Sequence, residues 1–396
     1  MTGRAGLIAV AALAVCGCSH SSAGTSTPPS HRAKPTVVLF RSPVSYTGGR
    51  DPEALAIADL NGDGHPDVVT ANSFGNDVSV FLGNGDGTLR RAHEFPVGKA
   101  PATVAIADLN GDGKLDIVTT NGGLAEGQGE AILGSNDISV MLGRGDGTFA
   151  KRVNYPAGDV PMGLVVADVN GDGATDLLTV DRHQSQLALL RGKGDGTFRP
   201  YTRIPIKGLM LSRRLTPADL NGDGVVDLIV PDESAGSVFV LTGTGHGTFV
   251  QKSYPENGIE PVAVTVADLN GDGKPDLAVA NGYPAHDTSV MLARGGGFGP
   301  AHTYPTGFAP HSIVATDMNG DGIPDLVVGN VGDSTVSILL GRGDGTVVRK
   351  LDLPTGSTAT NNSIAVADMN GDGRPDLVTA NFKPSSLVTV LLQSVG

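Results

Sequence analysis

Tryptophan is absent from this 396-residue chain, and aromatic residues make up only 4% of it. Recognition sites built on indole stacking platforms are therefore excluded. Cysteine is almost as scarce: the only two are Cys16 and Cys18. Both lie near the N-terminus, so disulfides do not hold the folded part together. Glutamate is also rare, with 7 Glu against 34 Asp, which leaves few carboxylates for paired acid–base chemistry on glycosides. No basic stripe is present, so a nucleic-acid partner is not expected.

The abundant residues point the other way. Fifty-seven Gly and 25 Pro punctuate short apolar runs, as in a chain of many tight turns between short strands. No Gly-x-y period exists and apolar residues reach 39%, which excludes collagen-like and disordered chains. The net charge of −13 is concentrated in repeated motifs. Twenty-one Asp fill three carboxylate positions in seven near-identical segments, and without them the formal charge becomes +8. Seven divalent cations in those segments would bring it to +1, so the acidity reads as a cation-binding device.

Residues 1–18 form a secretory signal: Arg4, an apolar run from Ala5 to Val15, then Val15-Cys16-Gly17-Cys18. The run is too short to remain as a membrane span. Its ending resembles a bacterial lipobox, which implies a lipid on Cys18 and anchoring to the cell envelope, or secretion if the lipobox is not used. Residues 19–34, rich in Ser, Thr and Pro, suit a solvated tether.

Residues 35–396 repeat a unit of about fifty residues, the size of a propeller blade. Its marker, Asp-x-Asn-Gly-Asp-Gly-x-x-Asp, begins at Asp59, Asp108, Asp168, Asp219, Asp268, Asp317 and Asp368. One long interval holds a Gly-rich insertion, Gly122 to Gly134, without apolar alternation. Around each marker lie four short runs, such as Ala102–Ala107, Asp116–Asn121, Asp137–Leu142 and a run ending in Tyr155-Pro156. A Gly-Asp-Gly-Thr hairpin signal sits between the last two. Small residues precede every marker, as expected if the first strand faces a crowded axis. Asn72, Asn121, Asp181, Asp232, Asn281, Asn330 and Asn381 are expected to end the second strand by bonding their own backbone.

The chain ends predict closure. The seventh unit stops after its third run, Leu387–Leu392, and the segment from Thr36 to Tyr46 has the register of a fourth. Phe40 precedes Asp59 by 19 residues, as Phe149 precedes Asp168. The fold class predicted is all-β: a seven-bladed β-propeller of four-stranded blades, sealed by the N-terminal strand, with no long exposed edge.

Each marker supplies oxygens at positions 1, 3, 5, 7 (main chain) and 9, with Gly at position 6 for the sharp turn, a pattern suited to Ca²⁺. The expected ligands are Asp59, Asn61, Asp63, His65 and Asp67 in the first unit, and Asp108, Asn110, Asp112, Lys114 and Asp116 in the second. Asp168, Asn170, Asp172, Ala174 and Asp176 follow, then Asp219, Asn221, Asp223, Val225 and Asp227. Asp268, Asn270, Asp272, Lys274 and Asp276 come next, then Asp317, Asn319, Asp321, Ile323 and Asp325. Asp368, Asn370, Asp372, Arg374 and Asp376 complete up to seven sites. Three clustered carboxylates repel one another until a cation neutralises them.

With Ala58-Asp-Leu-Asn-Gly-Asp-Gly-His-Pro-Asp67 and Asn84-Gly-Asp-Gly-Thr-Leu89, the repeat resembles the FG-GAP or VCBS repeats of calcium-binding propellers, including integrin α-chain heads. The resemblance spans residues 36–396 and implies fold and metal, but no activity.

Strand parity places the constant calcium loops and hairpins on one face and the irregular connections on the other. That second face carries Arg182, His183, Lys207, Arg213, Arg214, Tyr283, His286, His311 and Lys383. Arg182, His183, Arg213, Arg214, Tyr283 and His286 are the residues proposed to meet a glycan or protein ligand, against the plainer reading of ordinary solvated loops. Arg144-Gly-Asp146 and Arg342-Gly-Asp344 spell an adhesion tripeptide, but they occupy the repeated hairpin position and are read as scaffold. No nucleophile elbow or placed base appears, so the function expected is a binding or adhesion scaffold and not an enzyme. Two alternatives stay open: a calcium-assisted polysaccharide lyase or other glycan-active enzyme, and a purely structural envelope protein. A monomer, with the membrane reached only through the lipid, is expected.

Overall fold

Short β-branched runs joined by glycine turns fold here into seven antiparallel four-stranded sheets, and the computed structural model describes residues 38–127, 130–182, 184–255, 260–355, 360–382 and 386–394 of them. The expected signal with Cys18, residues 1–18, and the expected tether, residues 19–34, lie outside the described residues. In the first blade the strands are Pro52–Ala58, Asp67–Asn72, Asp77–Phe81 and His93–Pro96, paired in that order. First strands of neighbouring blades pack on one another around the axis, which accounts for the small residues before each marker. Second strands such as Asp176–Asp181 are buried along their whole length. Both of their faces are covered, which is why they read as unbroken apolar runs with no alternation.

The apolar core is divided among the blade junctions. Seven clusters each join two adjacent sheets: Val104, Ile117 and Phe149 of blade 2 pack with Val69 and Val80 of blade 1. Leu55, Val68 and Phe81 of blade 1 pack with Val378, Val388 and Val390 of blade 7. The second of these clusters closes the ring. Aromatic residues reinforce several junctions edge-to-face, with ring centroids 5.3 Å apart for Phe95 and Phe149 and 5.5 Å for Tyr155 and Phe198.

Closure follows the register expected from the chain ends. Val44–Thr47 is the fourth strand of blade 7, antiparallel to Leu387–Leu391. Phe40 opposes Gln393 as Phe149 opposes Gly143 in the second blade. Arg41 N–H donates to Leu392 C=O at 2.8 Å, repeating the bond from Ala150 to Leu142 at 2.7 Å. The insertion differs from expectation. Leu124–Gly127 and Glu130–Leu133 form a two-stranded ribbon, because two short runs flank a two-residue connection.

Candidate metal loops and the variable face

Within each marker loop, side-chain oxygens fold back onto main-chain N–H groups in the same way seven times. In the first blade Asp59 Oδ1 accepts from Gly62 at 2.7 Å and Asp59 Oδ2 from Gly64 at 2.8 Å. Asn61 Oδ1 accepts from Asp63 N–H at 2.9 Å, and Asp63 Oδ1 accepts from His65 N–H at 3.0 Å. The position-6 bond recurs at Gly113, Gly173, Gly224, Gly273, Gly322 and Gly373. Gly64 has φ +83°, a left-handed conformation for which glycine is suited. Positions 1, 3 and 5 keep partial or full exposure, apart from Asn319, which is buried. The spare oxygen at position 5 already attracts cations: Lys114 Nζ and Lys274 Nζ each lie 3.7 Å from Asp112 and Asp272, and Arg374 pairs with Asp372.

Position 9 is different. Asp67, Asp116, Asp176, Asp227, Asp276, Asp325 and Asp376 are all fully buried. Asp67 Oδ2 accepts from Leu60 N–H at 2.9 Å and Oδ1 from Gly83 N–H at 2.8 Å, so one carboxylate ties the loop to the end of the third strand. The second bond recurs at Gly143, Gly192, Gly243, Ala293, Gly341 and Gln393. Burial raises all seven of these carboxyls, the backbone bonds oppose it, and the neighbouring position-1 and position-5 Asp raise them further. Asp325 is pushed to about 7, and Asp176 and Asp376 to about 6. Among the described residues no three acidic, His or Cys side chains converge as a cluster sufficient by themselves to hold a metal. Any ion in a loop would draw on Asn and carbonyl oxygens besides the carboxylates.

The hairpins lie beside these loops, as strand parity predicts. Gly87 N–H donates to Met369 C=O of the preceding blade's loop at 3.1 Å, and Gly247 and Gly345 do the same to Val169 and Leu269. Blade 7 ends without its own hairpin, and Gln393 Nε2 supplies the bond to Met318 C=O at 2.8 Å. Asp146 and Asp344 of the Arg-Gly-Asp tripeptides accept from the N–H and hydroxyl of Thr148 and Thr346. Those bonds lower both carboxylates from their ordinary value and make them turn caps.

The expected turn-forming role of the Asn ending each second strand needs correction. Asn72 is buried and donates to Asp77 Oδ1 at 2.6 Å and Ser79 Oγ at 2.9 Å, while Thr70 donates to it. Asn121, Asn281, Asn330 and Asn381 also bond side chains of the third strand. Backbone bonding of the expected kind occurs at Asp232, which accepts from Ser234 and Ala235 N–H. A buried side chain facing a polar partner across a strand pair satisfies itself there before it reaches its own backbone. The spacing Thr-x-Asn followed by Asp-x-Ser carried that signal.

On the opposite face the structure gathers Arg182, Arg213 and Arg214, together with two glutamates and a histidine. Arg213 Nε lies 3.2 Å from Glu233 Oε1, and Arg214 Nη2 lies 3.5 Å from His311 Nδ1. Glu53 and Glu233 both act electrostatically on Arg182 and Arg214. Glu53 and His311 follow the prolines that open the first strands of blades 1 and 6, so the group meets at the axis. Burial lowers Arg182 and Arg214 and raises the Glu233 carboxyl. The two glutamates escaped notice in the sequence, where they lie 180 residues apart.

Tyr283 and His286 also come together, around a ring the sequence had not singled out. Phe308 stacks on His286 at 4.5 Å and meets Tyr283 edge-on at 5.8 Å, and Tyr283 is 66% exposed. Lys207 stands elsewhere, its main chain bonded to Gln251. His183, Lys383 and the insertion's residues 128–129 lie outside the described residues.

Such a ring of seven four-stranded sheets around an axis, each with the same loop, defines a repeat β-propeller. The FG-GAP-like repeat model matches residues 59–119, 131–179, 168–230, 219–279, 268–328 and 317–379, and the chain belongs to that family. No relative of curated function matches it significantly. Among solved structures it is similar to an Agrocybe aegerita lectin that recognises non-reducing terminal N-acetylglucosamine, with TM-score 0.53, 19% identity, and 87% of this chain and 85% of that one covered. It is also similar to BBS1N in complex with ARL6DN, with TM-score 0.58, 12% identity, and 91% and 98% covered. A third is virginiamycin B lyase from Staphylococcus aureus, with TM-score 0.58, 13% identity, and 90% and 99% covered. At these identities the likeness is one of fold.

Proposed function

We propose that the chain is a calcium-stabilised, non-enzymatic binding scaffold that presents its variable face to a glycan or protein partner outside the cytoplasm. The observation that carries this reading is the asymmetry of the two faces. One repeats the same loop and turn bonds in blade after blade, while the other collects charged and aromatic side chains that no repeat position requires. A lectin among the structures of like fold is consistent with it.

The residues present fit the metal. Each loop offers hard oxygens from positions 1, 3 and 5 and a buried ninth carboxylate whose ionised form the fold disfavours. Bound Ca²⁺ would supply the opposing charge that keeps all three carboxylates ionised at neutral pH. Because the hairpin of one blade bonds the loop of the previous one, stiffening a loop stiffens the junction. Lipidation at Cys18 would hold the propeller at the envelope by the 19–34 tether.

The test is a glycan and protein binding screen on the chain from Ser19 onward, in calcium. A ligand whose binding falls when the variable-face arginines are replaced supports the proposal. Release of unsaturated uronates, seen as rising ultraviolet absorbance, would replace it with the lyase reading. Correctly folded protein that binds nothing would leave a structural role.

A further inference from the structure

The axial group on the variable face has an unusual composition. Three guanidiniums, Arg182, Arg213 and Arg214, meet the carboxylates Glu53 and Glu233, with Glu260 acting on Glu233 as well, so opposite charges balance before His311 is counted. They come from blades 1, 3, 4, 5 and 6 and meet because each lies at or near the axial end of its sheet. Among the described residues Arg182 Nε is buried and makes no hydrogen bond, and Arg213 Nε and Glu233 Oε1 approach at 3.2 Å without bonding geometry. Arg213 keeps 38% of its side chain exposed, so solvent reaches the group. Removing guanidiniums from water without full pairing costs stability, and that cost is recovered when an anion docks.

Carboxylates between the arginines narrow the ligand class. A phosphate site needs donors alone, whereas this one also holds Glu233, whose buried Oε1 makes no hydrogen bond and can accept from a hydroxyl beside a carboxylate. Phe308, three residues before the His311 that meets Arg214, joins Tyr283 and His286 in an aromatic surface. An exposed ring there can stack against the C–H face of a sugar. Resting on the binding-scaffold reading, we infer that the axial mouth is a subsite for an acidic glycan. The uronate carboxylate is held by Arg182 and Arg213, and the adjoining sugar lies against Tyr283.

Calorimetry in calcium with three probes tests this: an oligouronate, a neutral oligosaccharide of equal length, and an acidic peptide. Arg182→Gln with Arg213→Gln removes the charges, and Tyr283→Ala removes the ring. A cooperative, calcium-dependent melting transition confirms that each variant is folded. The expected result is oligouronate binding at least about tenfold tighter than neutral-sugar binding, with that preference abolished in the double arginine variant. Tyr283→Ala weakens both sugars about equally. Three results would overturn the inference: equal affinity for both sugars, oligouronate affinity untouched by the arginine replacements, or preference for the acidic peptide. Each still leaves a binding scaffold standing. If none of the three probes binds, the inference falls; the scaffold reading falls with it only if the broader screen is empty as well.

Discussion

Asp325 shows what burial does to a carboxylate in these loops. It is fully buried, and the fold raises it to about 7, well above the usual carboxylate value near 4. A group raised in this way favours the fold when protonated. Its contribution is complete below about pH 4 and is lost as pH rises through 6 to 7, the range of Asp176, Asp376 and Asp325. In chelator, urea unfolding should therefore show stability falling between pH 5 and pH 8. Calcium should remove that fall by favouring the ionised form, and an identical profile with and without calcium would contradict the metal assignment. Two substitutions in one loop separate support from ligation. Asp325→Ala strands the N–H groups of Met318 and Gly341 and should cost about 2–5 kcal/mol already in chelator, with a further loss in calcium because the ninth-position carboxylate goes too. Asp321→Asn keeps an acceptor for Ile323 N–H, so it should leave chelator stability nearly unchanged while reducing the gain from calcium.

At the scale of the element, the strands and their order were readable because their signals are local. β-branched runs, Asp-Gly turns and the interval from Phe40 to Asp59 are all contained in one unit or its copy. Ring closure was legible for the same reason, as a missing fourth run and a spare one. What escaped was the product of juxtaposition. The role of Asn72 depends on Asp77 and Ser79 across a strand pair, and the axial charges depend on Glu53 and Arg214 meeting from blades far apart in sequence. Gln393 is a further case: its amide replaces a hairpin glycine at the last junction. Gln393→Ala should lower stability by about 1–2 kcal/mol, measured by chemical denaturation, and the loss should exceed that of an exposed Gln such as Gln184.

The molecule as a whole is a ring whose junctions repeat, and one blade of it is completed by pairing strands from opposite ends of the chain. Val44–Thr47 supplies the strand beside Leu387–Leu391 and Leu39–Phe40 pairs with Gln393–Ser394, while Val38, Phe40 and Tyr46 enter the apolar clusters there. A chain beginning at Gly49 should unfold at markedly lower temperature and associate through the open edge, seen by light scattering. Around the rest of the ring lie apolar junctions and loops crowded with negative charge, and under the proposed reading cations bound in those loops stabilise the fold. Equilibrium calcium binding on the intact propeller, read alongside its melting temperature, tests this most directly. Saturable uptake approaching seven ions per chain, in the range of roughly 10⁻⁴ to 10⁻³ M, with a matching rise in melting temperature, is the predicted result. No uptake, and a melting temperature indifferent to calcium and chelator, would contradict it.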